Sequence, residues 1–468
     1  MPTTIDPTSL GFLLAENRNQ PMHVAGLQLF ELPPDAGPHF ARETYEAALD
    51  TEEVAPLFRK RPTRSLSSLG QWAWTDDEQF DIEYHVRHSA LPEPGRIREL
   101  LELVSRLHGQ RLARERPLWE AHIIEGLADG RVAMYTKLHH SLVDGISAMK
   151  LMQSVLTSDP DKRGMGLPFE ARANTRSKKV REATERPLTE IPMDALRSAF
   201  GITADAAGLP AALVRTLNKG VRNEASAFSF HAPKSMFNVN ITGSRRFAAD
   251  DWPLERIRAI SKASRTTLND VVLAMCGGAL RNYLREVNRL PVESLVSMVP
   301  VGLKSRKAES ESGGGGNAVG SVMVKLGTDL ADPADRLAAI HGSMVAGKEA
   351  LESMTPNQIV AMSALGMAPS LAIPMLRLNG IVRPPFNVII SNVPGPRSTQ
   401  YLNGAKLTGT YPVSIPMQGM ALNITCNSYA DDMGFGLTGC RRTVPHLQRL
   451  LVHLDAELTE LENATGVS

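Results

Sequence analysis

The strongest constraint on how this chain folds is a strand that gives way to a helix around a pair of histidines. Arg131-Val-Ala-Met-Tyr-Thr-Lys-Leu138 is dominated by β-branched and aromatic residues and reads as a strand. Ile146, Met149, Met152 and Leu156 then follow at helical spacing. Between them lies His139-His140-Ser141-Leu142-Val143-Asp144-Gly145. Upstream, Phe80, Ile82, Tyr84 and Val86 alternate with polar residues and predict a second strand. Strand and helix signals mixed in this way indicate an α/β or α+β fold.

The same mixture returns in the second half. Leu254 to Leu284 carries long helical stretches, with Thr267 or Asn269 placed to cap the later one. Val296–Val301 and Phe386–Ile390 read as buried strands, and Thr443 to Leu461 as an amphipathic helix with proline in its first turn. The stretch from Thr157 to Pro187 differs: it holds eight basic residues and no apolar periodicity, so it reads as a linker. An Ala/Leu-rich segment from Met193 to Val221 reads as a helical hairpin joining two domains. Its interspersed arginines and Lys219 also suit contact with an anionic lipid surface. The chain of 468 residues is thus divided into 1–156, a connector at 157–235, and 236–468.

Composition matters chiefly for what it excludes. With 51 Lys+Arg against 50 Asp+Glu, the net charge of +1 speaks against a dedicated nucleic-acid binder. Cys276, Cys426 and Cys440 are odd in number and lack CxxC spacing, which excludes a disulfide scaffold or a zinc finger. No lysine or arginine precedes Arg18, so a secretory signal is not expected. The uncharged stretch from Ile359 to Leu376 is interrupted by Pro369 and Pro374, and reads as a buried or interfacial helix rather than a membrane span. A cytoplasmic protein is the default expectation.

The His139–Gly145 segment carries the chemistry. Adjacent strand residues point to opposite faces, so His139 and His140 cannot share a role. One should face the chemistry and the other should be structural. Asp144 falls near a helix amino end, where the helix dipole favours its charge. Gly145 suggests a close approach of backbone to backbone. A neutral histidine can act as a base on a hydroxyl or thiol near neutral pH. Two other readings stand beside that one: a hydrogen-bonded core histidine, and a metal ligand, for which no third ligand lies near His140 and Asp144. On residue chemistry alone these stay open. The Gly-rich run at 312–317 lacks the GK[ST] of a phosphate loop and reads as a loop; Lys304, Arg306 and Lys307 before it could meet the phosphates of a ligand or only solvent.

HHSLVDG resembles the HHxxxDG motif of CoA-dependent acyltransferases related to chloramphenicol acetyltransferase and to peptide-synthetase condensation domains. Pro21-Met-His-Val24, Arg116-Pro-Leu-Trp-Glu120, Asn269-Asp270, Ser391-Asn-Val-Pro-Gly-Pro396, Pro412-Val-Ser414 and Leu422-Asn423 narrow the resemblance to the bacterial wax ester synthase/diacylglycerol acyltransferase family. The resemblance implies two chloramphenicol-acetyltransferase-like domains with an active-site tunnel at their interface. It implies His140 as general base, His139 as its support, and Asp144 as a structural aspartate pairing with an arginine, followed by Gly145. Pro117, Leu118 and Trp119 would lie near the substrate channel, or simply pack a strand. Asn269 and Asp270 would shape the tunnel or cap a helix, and Ser391 and Asn392 would line the interface, with Pro394 and Gly395 as a turn.

The activity so implied is acyl transfer from acyl-CoA, as co-substrate, to a fatty alcohol or diacylglycerol. It needs no acyl-enzyme, cofactor or metal. The alternatives are a condensation-type enzyme acting on carrier-protein thioesters, and a non-enzymatic acyl-lipid binder. Handling such insoluble molecules implies peripheral contact with a membrane or lipid inclusion.

Overall fold

The computed structural model describes residues 3–64, 70–171, 232–302, 319–352 and 381–467. Most of the basic connector, the Met193–Val221 segment, the Gly-rich run with Lys304, Arg306 and Lys307, and the Ile359–Leu376 stretch lie outside these residues. The first half contains β1 (Thr3–Thr4), α1 (Pro7–Ala15), β2 (His23–Glu31), α2 (Phe40–Leu49), β3 (Lys60–Arg64) and β4 (Trp72–Asp76). It continues with α3 (Ile82–His85), β5 (Val86–Ala90), α4 (Ile97–Gly109), β6 (Trp119–Glu125), β7 (Val132–His139) and α5 (Gly145–Gln153). The second half contains β8 (Arg245–Pro253), α6 (Leu254–Ser264), α7 (Leu268–Glu286), β9 (Val296–Gly302), β10 (Val319–Lys325) and α8 (Pro333–Glu352). It ends with β11 (Val388–Pro394), β12 (Tyr401–Leu402), β13 (Ala405–Val413), β14 (Leu422–Tyr429), β15 (Asp432–Cys440) and α9 (Arg449–Thr465).

Two six-stranded sheets organise these elements. The first runs β12-β13-β2-β7-β6-β5, and the second β10-β9-β11-β14-β15-β8. Every residue of β7 is buried, as expected for a central strand covered on both faces. In the second half, α7 is buried almost all round from Asp270 to Leu280, enclosed by α8, α9 and the sheet.

The halves are interleaved. Residues 401–413, which the sequence reading places in 236–468, pair into the first sheet through β13 and β2. β13 also lies directly across the second sheet: a Cβ at Gly436 on β15 would collide with the Pro412 carbonyl. Glycine there permits the close crossing of two backbones. Further ties link α4 to the second half. His108 meets the Ser414 carbonyl at 2.9 Å, and the Phe247 N–H donates to Ser105 Oγ at 2.9 Å.

Several local expectations are corrected. Phe80–Val86 is not one strand; the Asp81 carboxylate accepts the Glu83 N–H and caps a single helical turn, and the strand starts at Val86. Local side-chain capping outweighed the alternation. The last helix begins at Arg449, because His446 takes a left-handed conformation (φ 52°) and leaves Pro445 outside the first turn. Its leucines 450, 454, 458 and 461 are nonetheless buried. Pro394 closes β11 rather than opening a turn, and the Gly395 N–H donates to Ser428 Oγ. The three cysteines are free and buried.

Candidate active site

β7 delivers the histidine pair at its carboxyl end. The His139 N–H donates to the Leu118 carbonyl at 3.0 Å, and His139 lies opposite His23 on β2. The chain then turns, with the Leu142 N–H donating to the His139 carbonyl at 2.9 Å. The His140 N–H donates to the Met22 carbonyl at 2.8 Å. The backbone of the motif is therefore pinned on both sides before any side chain acts.

The two histidines differ as strand alternation requires. His139 is completely buried, and Ser141 occupies its Nδ1 through a main-chain N–H at 3.1 Å and a hydroxyl at 2.7 Å. A main-chain N–H can only donate, so Nδ1 is the acceptor and the proton sits on Nε2. That nitrogen faces Glu16 Oε1 at 3.6 Å. His139 thus has no free lone pair to offer a substrate. His140 is half-buried, and its ring stacks on Phe12 with centroids 4.1 Å apart. Its Nδ1 is buried without a hydrogen-bond partner. Burial lowers the His140 pKa below the ordinary histidine value of 6.5, while the Asp144 charge acts in the opposite direction. A histidine kept neutral in this way is suited to take a proton near neutral pH.

Asp144 caps α5, its carboxylate accepting the Ser147 N–H at 2.7 Å. Among the described residues it forms no ion pair with an arginine. Gly145 opens α5 with no described atom within 4 Å of where a Cβ would stand, so the expected backbone approach is not found. Its place at the first helical position needs no special conformation.

Pro117, Leu118 and Trp119 are all buried. Trp119 stacks on His85 and Phe169 and donates from its indole to the Phe58 carbonyl at 2.8 Å. Leu118 packs with Leu13 of α1 and with Leu142 of the motif. Trp119 begins the strand paired with β7, and Pro117 and Leu118 lead into it, the Leu118 carbonyl accepting the His139 N–H. Thr267, not Asn269, caps α7, in a reciprocal box with Asp270. Asn269 is left facing Asn392, whose Nδ2 lies 3.5 Å from its Oδ1. Ser391 and Asn392 are half-buried on β11, opposite Thr425 and Cys426. No hydrogen bond among the described residues joins this group to the histidine pair.

The sequence reading missed Phe12, Glu16, Arg114 and His341. Glu16 and Arg114 form an ion pair at 3.3 Å, and the His341 ring donates to the Asp270 carboxylate at 2.8 Å. Nothing in residue spacing marks them. Arg114 is far from Glu16 in sequence and His341 is far from Asp270.

A family model described as the wax ester synthase/diacylglycerol acyltransferase catalytic domain matches residues 5–272, and its C-terminal domain counterpart matches 315–462. The chain belongs to this family of O-acyltransferases. A Mycobacterium tuberculosis protein named as a diacylglycerol O-acyltransferase is 47% identical over 464 residues, covering 98% of this chain and 99% of that protein. A Mycobacterium bovis protein of the same designation is 43% identical over 465 residues, covering 98% and 90%. The solved wax ester synthase/diacylglycerol acyltransferase of Marinobacter aquaeolei VT8 superposes with a TM-score of 0.79 at 42% identity, over 99% of this chain and 100% of that one. The first condensation domain of the CDA synthetase matches with a TM-score of 0.56 at 15% identity, over 99% and 96%, a likeness of fold alone. The two-domain, chloramphenicol-acetyltransferase-like fold is thereby established for the family member described here.

Proposed function

We propose that this O-acyltransferase moves a long fatty acyl group from acyl-CoA directly to the hydroxyl of a fatty alcohol or a diacylglycerol, with His140 as general base. The observation that carries this reading is the division of labour within the pair. Ser141 occupies Nδ1 of His139 and Glu16 Oε1 faces its Nε2 at 3.6 Å, whereas His140 is rigidly mounted, half-exposed and held neutral. His140 removes the acceptor's hydroxyl proton as the oxygen attacks the thioester carbonyl. The tetrahedral oxyanion then collapses, the carbon–sulfur bond breaks, and His140 returns the proton to the departing CoA sulfur. Products are the ester and free CoA, with no acyl-enzyme between.

Oxyanion stabilisation requires donors placed before reaction, a part open to Asn269, Asn392 or main-chain amides of the motif turn. Ser391 and Asp270 would line or shape the passage between the sheets, and Pro117, Leu118 and Trp119 would wall it from behind β7. The diacylglycerol names of the relatives support that acceptor class. Among the described residues no helix is long and apolar enough to cross a membrane. The insolubility of a fatty alcohol or diacylglycerol is what calls for peripheral contact with a membrane or lipid inclusion.

Incubation of the purified protein with palmitoyl-CoA and either hexadecanol or a diacylglycerol should release CoA and form the matching ester. His140→Ala should lower the rate roughly 10²–10⁴-fold while leaving the thermal transition in place. A folded His140→Ala protein with near-normal turnover would exclude the base assignment. No CoA release with either acceptor would exclude the activity.

A further inference from the structure

Three donor groups converge on Glu16, a carboxylate at the end of α1 whose side chain is only 1% exposed. Its Oε1 accepts the Met22 N–H at 3.2 Å and lies 3.6 Å from His139 Nε2. Its Oε2 lies 3.3 Å from both Nε and Nη2 of Arg114. Arg114 in turn donates to the Leu13 carbonyl, and the Glu16 N–H donates to the Phe12 carbonyl at 3.1 Å. A buried carboxylate persists where donors and a positive charge surround it, and here the Met22 N–H and the Arg114 guanidinium do so, with the His139 ring beside them.

Each of these contacts leads to a different part of His140. Met22, held through its N–H, uses its carbonyl to hold the His140 N–H. His139, held at Nε2, uses Nδ1 to cap the Ser141 N–H in the turn that aims His140. Phe12, held through the α1 backbone, covers one face of the His140 ring.

We infer that Glu16 is the positioning residue of the base: its buried carboxylate, together with the Ser141 N–H, holds His139 in the Nε2–H tautomer and fixes α1 so that Phe12 covers His140. The inference rests on the reading of His140 as base. An amide of the same size could not replace the carboxylate. Glutamine offers one acceptor oxygen to three donors, and its NH₂ would demand a lone pair on His139 Nε2. The ring proton would then move to Nδ1, against the Ser141 N–H.

Nitrogen-15 NMR of histidine-labelled wild-type protein, with the His139 signals identified by their loss in His139→Gln, should show a protonated Nε2 and a bare Nδ1. Glu16→Gln should lower kcat with palmitoyl-CoA about 10–100-fold while KM changes less than about threefold, the signature of misaimed chemistry rather than lost binding. Arg114→Met keeps the carboxylate and should keep the Nε2–H form even if stability falls, which provides a test should Glu16→Gln fail to fold. A wild-type His139 protonated on Nδ1, an Arg114→Met protein shifted to that form, or a folded Glu16→Gln protein with wild-type kcat would each overturn the assignment. Absence of transfer in the wild type would defeat the function reading instead, and the His139 tautomer in Glu16→Gln, expected to shift to Nδ1–H, would still decide the role of Glu16.

Discussion

Phe12 lies against the His140 ring, with centroids 4.1 Å apart, and contributes to the burial of that ring. Burial lowers the His140 pKa below 6.5 by disfavouring the charged imidazolium. Only the neutral ring can accept a proton, so activity should fall on the acid side of that pKa. Phe12→Ala admits water to the ring face and weakens the burial effect. The acid limb of kcat/KM should therefore move to higher pH, toward the ordinary histidine value. A pH–rate profile between about pH 5 and 8 measures this, and an unmoved limb would show that other groups bury the ring. At this scale the sequence was informative about pairing and silent about partners. Alternation along a strand separates His139 from His140, but only the folded chain shows that Ser141 occupies Nδ1 of His139 and that Glu16 faces its Nε2.

Helices α8 and α9 are joined by Arg336 and Glu457, whose side chains are 2% and 3% exposed. Their meeting place lies against Gly278 of α7, where a Cβ would run into the Glu457 carboxyl. Burial pushes the Glu457 pKa up to about 7, while the Arg336 charge pulls the other way. Burial also lowers the Arg336 pKa. Removing one partner leaves an uncompensated buried charge, so Glu457→Ala should cost about 3–5 kcal/mol of stability. Replacing both residues with methionine should recover most of that loss, because neither ion then needs solvation. Urea denaturation of the single and double variants tests the pair, and a double variant no better than the single would refute this account. Helix α7 was visible from its apolar run, yet the ion pair was not, because its members are distant in sequence and neither sits in a motif.

Across the whole molecule, buried histidines join the two halves to a narrow range of pH. His108 on α4 binds the Ser414 carbonyl and the Tyr135 hydroxyl, and burial depresses its pKa to about 3. His23, in edge-to-face contact with His108, is likewise lowered well below 6.5 by burial. Both are neutral in the fold and take up protons on unfolding below pH 6.5. Their contribution is complete above 6.5 and is lost as pH falls toward the folded pKa. For His108 alone the loss by pH 4.5 is roughly 2–3 kcal/mol. Denaturation midpoints followed from pH 7 to 4.5 should fall accordingly, and His108→Gln should show a shallower slope. An equal slope in that variant would place the acid sensitivity elsewhere.

What the sequence determined by itself is what short-range pattern can encode. The strand–motif–helix order around HHSLVDG, the buried strand at Val296, the leucine face of the last helix and the family all follow from residues close together in the chain. Two of the assignments that failed were local competitions: the Asp81 cap against an alternating strand, and a left-handed His446 against an early helix start. The tertiary structure alone decided that residues 401–413 complete the first sheet, because strand pairing is set by which edges remain open after other elements pack. It also decided which neighbours each histidine ring meets. A ring nitrogen's role depends on the donor or acceptor brought beside it, and for His139 one of those is Glu16, a whole domain's length away along the chain.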